Sequence, residues 1–319
     1  MNKVLSLLFV FFIIGCKNSS STNVESITLK TTQQQISLSE TEHILYTLAA
    51  DSMKGRDTKS GGYFKAAEFV SSYFKTHNVN PFYPDYRDSF VLDSLVSFNL
   101  VGQIGEFDPE KNTILIGAHL DHIGIKHNEN DSIFNGANDN AAGATAVLQL
   151  SRFLASYTWD QNILLALFAE EEKGLKGSHH LAQRFIDENI SLDYMVNFEM
   201  IGTKLTTGPN QVYLTGFNQS NMADEMNAIA PNFVQFLPEA KELNLFRRSD
   251  NYAFFLKMNI PAQTLSSFDF KNFDFYHKAG DEASKLDLEN LNQIISTAAY
   301  TISQLIHQKT AIQLYPENQ

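Results

Sequence analysis

Apolar residues change their spacing along this chain, and the changes mark out its parts. Residues 4–14 are apolar without a break except Ser6. Residues 17 to about 35 are rich in Ser, Thr, Asn and Gln and read as a flexible tether. Order is predicted to begin near Ser39, where Ser39-Glu40-Thr41-Glu42 has the spacing of a capping box and 43–50 supplies an apolar helical stripe. A second helix is predicted over 62–77, with Phe64, Ala67, Val70 and Phe74 facing inward, and 53–57 forms the loop between the two. From Ser97 the pattern becomes strand–helix alternation. Strands are predicted at 98–104, 113–120, 162–169, 192–200, 211–216 and 261–267, and helices at 141–157, about 175–189, 220–230, 250–258 and 288–308. Several of the strands are apolar on both faces, as central strands of a covered sheet must be. The expected fold is a three-layer α/β/α sandwich around a mixed, mostly parallel sheet. No internal repeat appears, and no break is long enough to seat a second domain.

Composition narrows this picture. The 319 residues suit one large α/β domain. A formal net charge of −12 with no basic cluster argues against a nucleic-acid partner. The first residues stand apart from the fold. Met1-Asn2-Lys3 is a short basic start, and the apolar run after it is too short to span a bilayer but suits a signal peptide. It ends in Ile13-Ile14-Gly15-Cys16, which resembles a bacterial lipobox; a plain signal peptide or an uncleaved anchor is the other reading. Cys16 is the only cysteine, so no intrachain disulfide can form. The expected organisation is a lipoprotein signal peptide over 1–15, a tether over 16–37, the main domain over 38–310 and a tail over 311–319. An exported protein held to the membrane through Cys16 would rely on acyl chains, because its acidic surface is repelled by anionic lipid. No acidic sorting run follows Cys16, which favours the periplasmic side.

Five segments carry the candidate chemistry: GAHLDH (117–122), NDNAAG (138–143), AEEEKGLKGS (169–178), NFEMIG (197–202) and FYHKAGD (275–281). Three of them directly follow an apolar strand-type run. Ligands bind outside the carboxyl ends of parallel strands, so polar groups at several such ends can converge. Two His and a surplus of carboxylates suit zinc or another borderline divalent metal. His119 and Asp121 lie two residues apart at a strand end, and a carboxylate there can fix the imidazole. Asp139 opens a small-residue helix and reads equally as an N-terminal cap. Glu170-Glu171-Glu172 repel one another unless cations neutralise them, or else form a solvated face. Glu199 ends an apolar strand and needs a cation or an ion pair. His277 sits in the last segment, after Tyr276. The other histidines read as surface or core residues, His122 the least firmly.

Taken together and in order, these segments resemble the co-catalytic zinc aminopeptidase family, which also includes glutamate carboxypeptidase II-like and glutaminyl-cyclase-like members. The resemblance covers roughly residues 45–305, from DSMKGRDTKSGG through NLVGQI and SDNYAFFLKMNIPA to YHKAGD. It implies the zinc exopeptidase fold, two zinc ions per chain, and peptide substrates with a free N-terminus. Residue by residue, it implies that Asp139 is shared by both metals, that His119 and Glu199 complete one site, and that Glu172 and His277 complete the other. Glu171 would be the general base, and Asp121 would orient His119. The register rests on Glu-Glu-x-Gly-Leu-x-Gly-Ser, matched by residues 171–178; a shift by one would make Glu170 the base and Glu171 the ligand. The resemblance also implies a cis Asp139–Asn140 peptide. The chain departs from it in having Glu199 where many members have Asp, and in lacking the family's frequent protease-associated insert.

The implied reaction is hydrolysis of an N-terminal peptide bond by a water held between the metals. Glu171 would move the proton and the Tyr276 hydroxyl would help hold the oxyanion. Two rivals share the fold. If Arg247 or Arg248 enters the pocket and binds a substrate carboxylate, the enzyme is a carboxypeptidase or dipeptidase; otherwise the two are surface charges. A single-zinc glutaminyl-cyclase-like acyltransferase is the second. A binding protein that has lost catalysis is the third reading, but receptor-like relatives lose ligands and none is missing here.

Overall fold

A computed structural model describes residues 27–126 and 131–316. The expected leader, Cys16 and the first part of the expected tether lie outside the described residues, as does His127. Among the described residues no helix is long and apolar enough to cross a membrane.

The chain opens with α1 (Leu29–Gln35), α2 (Leu38–Leu48) and α3 (Gly62–Thr76). Then come β1 (Val79–Pro81), β2 (Arg87–Leu92), β3 (Leu95–Ile104), β4 (Thr113–His119), β5 (Gly124–Ile125) and β6 (Ile133–Phe134). Alternation follows: α4 (Gly143–Leu154), β7 (Asn162–Phe168), α5 (Lys176–Asp187), β8 (Tyr194–Phe198), β9 (Val212–Leu214), α6 (Met222–Ile229) and β10 (Val234–Gln235). The chain closes with α7 (Pro238–Glu242), α8 (Asn251–Met258), β11 (Ala262–Ser266) and α9 (Leu288–Gln308).

Nine strands form one mixed sheet in the order β1-β3-β7-β4-β8-β11-β9-β10, with β2 also paired to β3. The central four, β7-β4-β8-β11, are parallel to one another. Their continuous apolar runs serve two cores at once. Ile114, Ile116, Ile163, Leu165 and Val196 join the core under α2, α3, α4 and α9, while Leu115, Leu164, Ala166 and Met195 join the core under α5 and α8. A strand buried on both faces cannot alternate with polar residues, and these do not. The result is the three-layer sandwich, and the carboxyl ends of the parallel strands open onto one edge.

Several boundaries differ from those expected, each for a local reason. The expected tether contains α1, with Thr28 as a capping residue and Ile27 and Ile36 buried, so part of this polar stretch is folded onto α9. The cap of α2 is Ser37, whose hydroxyl accepts from the Glu40 N–H at 3.2 Å, not Ser39. In α3 the buried stripe is Tyr63, Ala66, Ala67, Val70 and Phe74, so Phe64 is turned to the surface at 40 % exposure. The β2–β3 hairpin escaped the strand pattern because its turn, Asp93-Ser94, reaches positive φ at both positions without glycine. Residues expected to form a tail are fastened instead: Ile312 and Leu314 are buried, and the Tyr315 hydroxyl donates to Asp224 at 2.8 Å.

Candidate metal centre

His119 is the last residue of β4, Glu170–Glu172 follow β7, and Glu199 follows β8. Asp139 lies in an irregular turn before α4, and His277 in the loop after β11. The sheet therefore delivers these groups to one edge, as the switch-point geometry of open α/β sheets requires.

Asp139 stands between two groups of side chains. Its Oδ1 lies 3.2 Å from His119 Nε2, which is 4.0 Å from Glu199 Oε1. Its Oδ2 lies 3.2 Å from His277 Nε2, which is also 3.2 Å from Glu172 Oε2. On that second side His122 Nδ1 approaches Glu172 Oε1 at 2.8 Å and Asp139 Oδ2 at 3.9 Å. Two sets, His119–Asp139–Glu199 and His122–Asp139–Glu172, each bring their donor atoms within 4.8 Å of one another and could hold a metal ion. His122, read from sequence as a surface or core residue though the least firmly of the other histidines, is buried in this cluster. Its position three residues beyond His119 in HLDH is the one available signal. The donor set fits a divalent cation on a further observation: His119 Nε2, His122 Nε2 and Glu199 Oε2 are buried and have no hydrogen-bond partner. Buried polar atoms are seldom left so, and all three belong to residues of the two donor sets.

The backbone around the cage is held by residues that sequence patterns did not single out. The two asparagines beside Asp139 tie its turn to the end of β8: Asn140 donates to the Phe198 carbonyl at 2.9 Å and accepts from Met200 N–H at 3.0 Å, and Asn138 accepts from Gly202 N–H at 2.9 Å. A Cβ at Gly143 would overlap the Asn140 side chain and the Phe198 carbonyl, so close backbone approach requires glycine there. The Asp281 carboxylate accepts from Asn138 N–H at 2.7 Å and from Asp139 N–H at 3.0 Å. Beneath these loops Arg56 is fully buried and spends its guanidinium on backbone carbonyls alone. The Asp139–Asn140 peptide is cis.

Asp121 sits differently from the position the resemblance implied. His119 Nδ1 meets the Asp121 backbone carbonyl at 3.1 Å, while the carboxylate is 3.9 Å away. The Asp121 carboxylate instead accepts from the Glu171 N–H at 3.1 Å and the Glu172 N–H at 3.4 Å. It shapes the segment that carries the glutamates, and the carbonyl orients the ring.

The three consecutive glutamates separate. Glu170, at φ +60°, turns away and pairs with Lys173 at 2.6 Å. Glu172 faces His122 and His277. Glu171 is left with no cation within 4.0 Å among the described residues, and its charge is felt by His119, Glu199 and Asp250. Burial, aided by those neighbouring carboxylates, holds its proton well above the usual carboxylate range. Burial likewise lifts Glu199 to about 8, against the opposing pull of His119. Burial pushes Asp139 the same way, but the His119 and His277 rings, each 3.2 Å away, outweigh it and its carboxyl is depressed. His277 is raised to about 10 by its bonds to Asp139 and Glu172.

Tyr276 stacks on His277 with ring centroids 4.0 Å apart and lines a cavity beside Glu199. Of the two arginines, Arg247 lies 5.6 Å over the Tyr252 ring in a neighbouring groove, while Arg248 lines the cavity with Glu199 and Tyr276.

The sheet edge carries a donor cluster that could hold divalent metal ions, and comparison with known proteins supplies the family. Residues 99–302 match the family described as Peptidase family M28, and the chain belongs to that family. It is 31% identical over 127 residues to an aminopeptidase of Pseudomonas aeruginosa, a stretch that covers 38% of this chain and 22% of that protein. The chain spans less than a third of the length of the first curated relatives it matches. In fold it is similar to the LapA aminopeptidase of Legionella pneumophila, with a TM-score of 0.69 at 21% identity over 88% of this chain and 74% of that one. It is also similar to the glutaminyl cyclase of Porphyromonas gingivalis, with a TM-score of 0.67 at 14% identity over 85% of this chain and 99% of that one.

Proposed function

We propose that this chain is a metal-dependent aminopeptidase that holds two zinc ions. The observation that carries the reading is the placement of Asp139, one oxygen toward His119 and Glu199, the other toward Glu172 and His277. Those five residues would hold the ions, with His122 bracing Glu172. When bound, the ions supply Lewis acidity, which polarises a carbonyl and makes water acidic near neutral pH. Glu171 would take the proton of the attacking water and hand it to the leaving amine, a task open to it because it alone of the three consecutive glutamates lacks a fixed partner. Burial and the charges of Asp139, Glu199 and Glu172 keep the Tyr276 hydroxyl protonated, so it can donate to a developing oxyanion. The surplus of carboxylates attracts a free α-ammonium group, which favours cleavage at the N-terminus. The lipobox-like run before Cys16 supports export and a lipid anchor for the same enzyme.

The test is a panel of dipeptide amides with free or acetylated N-termini, assayed with and without chelator. Cleavage of the free forms only, abolished by chelator and restored by zinc, is the expected result. Equal cleavage of acetylated peptides would remove the aminopeptidase reading, and one metal per chain would point to the cyclase-like rival.

Metal binding is also expected to release protons. At pH 7 the metal-free site holds protons on His277 and Glu199, whose values lie at about 10 and about 8. Ligation needs both groups deprotonated, so apparent zinc affinity should climb as pH rises, steeply up to about 8 where Glu199 loses its proton and less steeply up to about 10 where His277 does. Calorimetry in buffers of different ionisation enthalpy reads the release directly. Identical heats across buffers would contradict it.

A further inference from the structure

The cavity beside Glu199 contains a cation that the proposed reaction does not use. Its walls mix apolar side chains, Met200, Leu245 and Phe268 among them, with hydroxyls and the charged groups of Glu199 and Arg248. The hydroxyls at its back are already engaged: Thr264 donates to Asn251 Oδ1 at 2.8 Å, and Ser249 does so at 3.0 Å. Thr215 Oγ1 accepts from the Thr264 N–H at 3.2 Å, and Ser266 Oγ from the Phe268 N–H at 3.2 Å. Arg248 is different. Its backbone N–H is fixed to the Leu245 carbonyl at 3.0 Å, but among the described residues no carboxylate lies within 4.0 Å of its guanidinium. The other arginine with a nearby acidic cluster, Arg184, is spent on Asp88 and Glu188. Arg87 and Arg247 also lack a carboxylate partner among the described residues, but they lie over the Phe98 and Tyr252 rings; Arg248, an exposed side chain, is the one that lines the cavity with Glu199 and Tyr276. The charge of Arg248 reaches into the cavity, where it opposes the upward shift of both Tyr213 and Tyr276.

We propose that Arg248 makes this cavity a carboxylate receptor, so that preferred substrates present a carboxylate to it. A guanidinium pairs with a carboxylate through two parallel N–H···O bonds, a geometry no other group in this cavity offers. The proposal deepens the aminopeptidase reading and rests on it for the position of the substrate. The carboxylate has two sources: the side chain of an acidic N-terminal residue, or the free C-terminus of a short peptide.

Three ligands separate the sources by equilibrium binding to the zinc-loaded protein. Leucinamide carries no carboxylate, leucine carries one on the main chain, and isoglutamine (glutamic acid α-amide) carries one on the side chain only. Isoglutamine or leucine is expected to bind about ten- to a hundredfold more tightly than leucinamide. Arg248→Gln should remove that advantage, and Arg247→Gln, in the neighbouring groove, should keep it. An advantage for isoglutamine assigns an acidic N-terminal residue; one confined to leucine assigns a free C-terminus; either upholds the proposal. Equal affinities, or an advantage that survives in Arg248→Gln, would overturn it. Because no turnover is needed, a protein that cleaves no free-amine peptide would end the aminopeptidase reading and still leave this measurement decisive for Arg248.

Discussion

Glu171→Gln is expected to lower turnover of aminoacyl-anilides by roughly 10²–10⁴-fold while metal content stays unchanged. The magnitude is that of a lost general base, and the separation of turnover from metal content follows from the geometry. Glu172, one residue on, lies 3.2 Å from His277 and 2.8 Å from His122. Glu170, one residue back, is spent on Lys173. Glu171 has neither kind of partner, yet its backbone N–H is fixed by Asp121 at 3.1 Å, so the carboxylate is positioned without being used up. Gln keeps the shape and the backbone bond and loses only the ability to accept a proton. If Glu171→Gln instead loses a metal ion, the register shifted by one residue is right and Glu170 becomes the candidate base. If the variant keeps a near-normal rate, Glu171 has no proton to move.

The pH profile should carry the same signature. A base works only when deprotonated, and burial together with Glu199 and Asp250 raises the Glu171 carboxyl well above its ordinary range. Activity is therefore expected to fall on the acid side at a higher pH than an exposed glutamate would give, and this limb should disappear from the residual activity of Glu171→Gln.

What the sequence could show and what it could not follow one physical line. A run of residues apolar on both faces marks a central strand, and its end marks the sheet edge. His119, the glutamates after Phe168 and Glu199 all sit at such ends, so their meeting was legible one residue at a time. The shape of the sandwich followed from the strand–helix alternation, and the cis peptide at Asp139 from the family resemblance. The supporting residues were not legible, because they act through hydrogen bonds to backbone atoms, which leave no periodic trace. Asn140 and Asp281 were motif letters without roles until their partners, Phe198 and the N–H groups of residues 138 and 139, were seen in space. His122 lies in a short loop where direction cannot be read from spacing. The Asp121 carboxylate was assigned to the ring two residues away, whereas the chain brought the β7 turn closer to it.

Arg56 is the largest omission, and its removal should be the most damaging change to the fold. It sits in Met53-Lys54-Gly55-Arg56-Asp57, a stretch that sequence marks as a loop and as the opening of the family resemblance, with no role for the arginine. In the structure Nε donates to the Leu120 carbonyl at 2.8 Å, Nη1 to Leu48 at 2.8 Å and Asn135 at 2.6 Å, and Nη2 to Gly136 at 2.7 Å. Leu120 follows His119, and residues 135 and 136 lead into the Asp139 turn, so one planar fork joins the segments that bear both sides of the cage. Burial lowers its pKa to about 10, partly offset by Asp281, Asp139, Asp121 and Glu172, so it stays charged at neutral pH and balances some of that acidity. Arg56→Met keeps the apolar stem but removes the guanidinium, leaving buried carbonyls without donors, each worth about 1–3 kcal/mol. We expect a loss on the order of 4 kcal/mol in the metal-free protein, read by urea denaturation, together with weaker zinc binding. Arg56→Lys should recover only part of this, because an ammonium cannot reproduce the fork. A side chain that merely filled space would behave otherwise: Arg56→Lys and Arg56→Met would then cost about the same, and zinc affinity would not move.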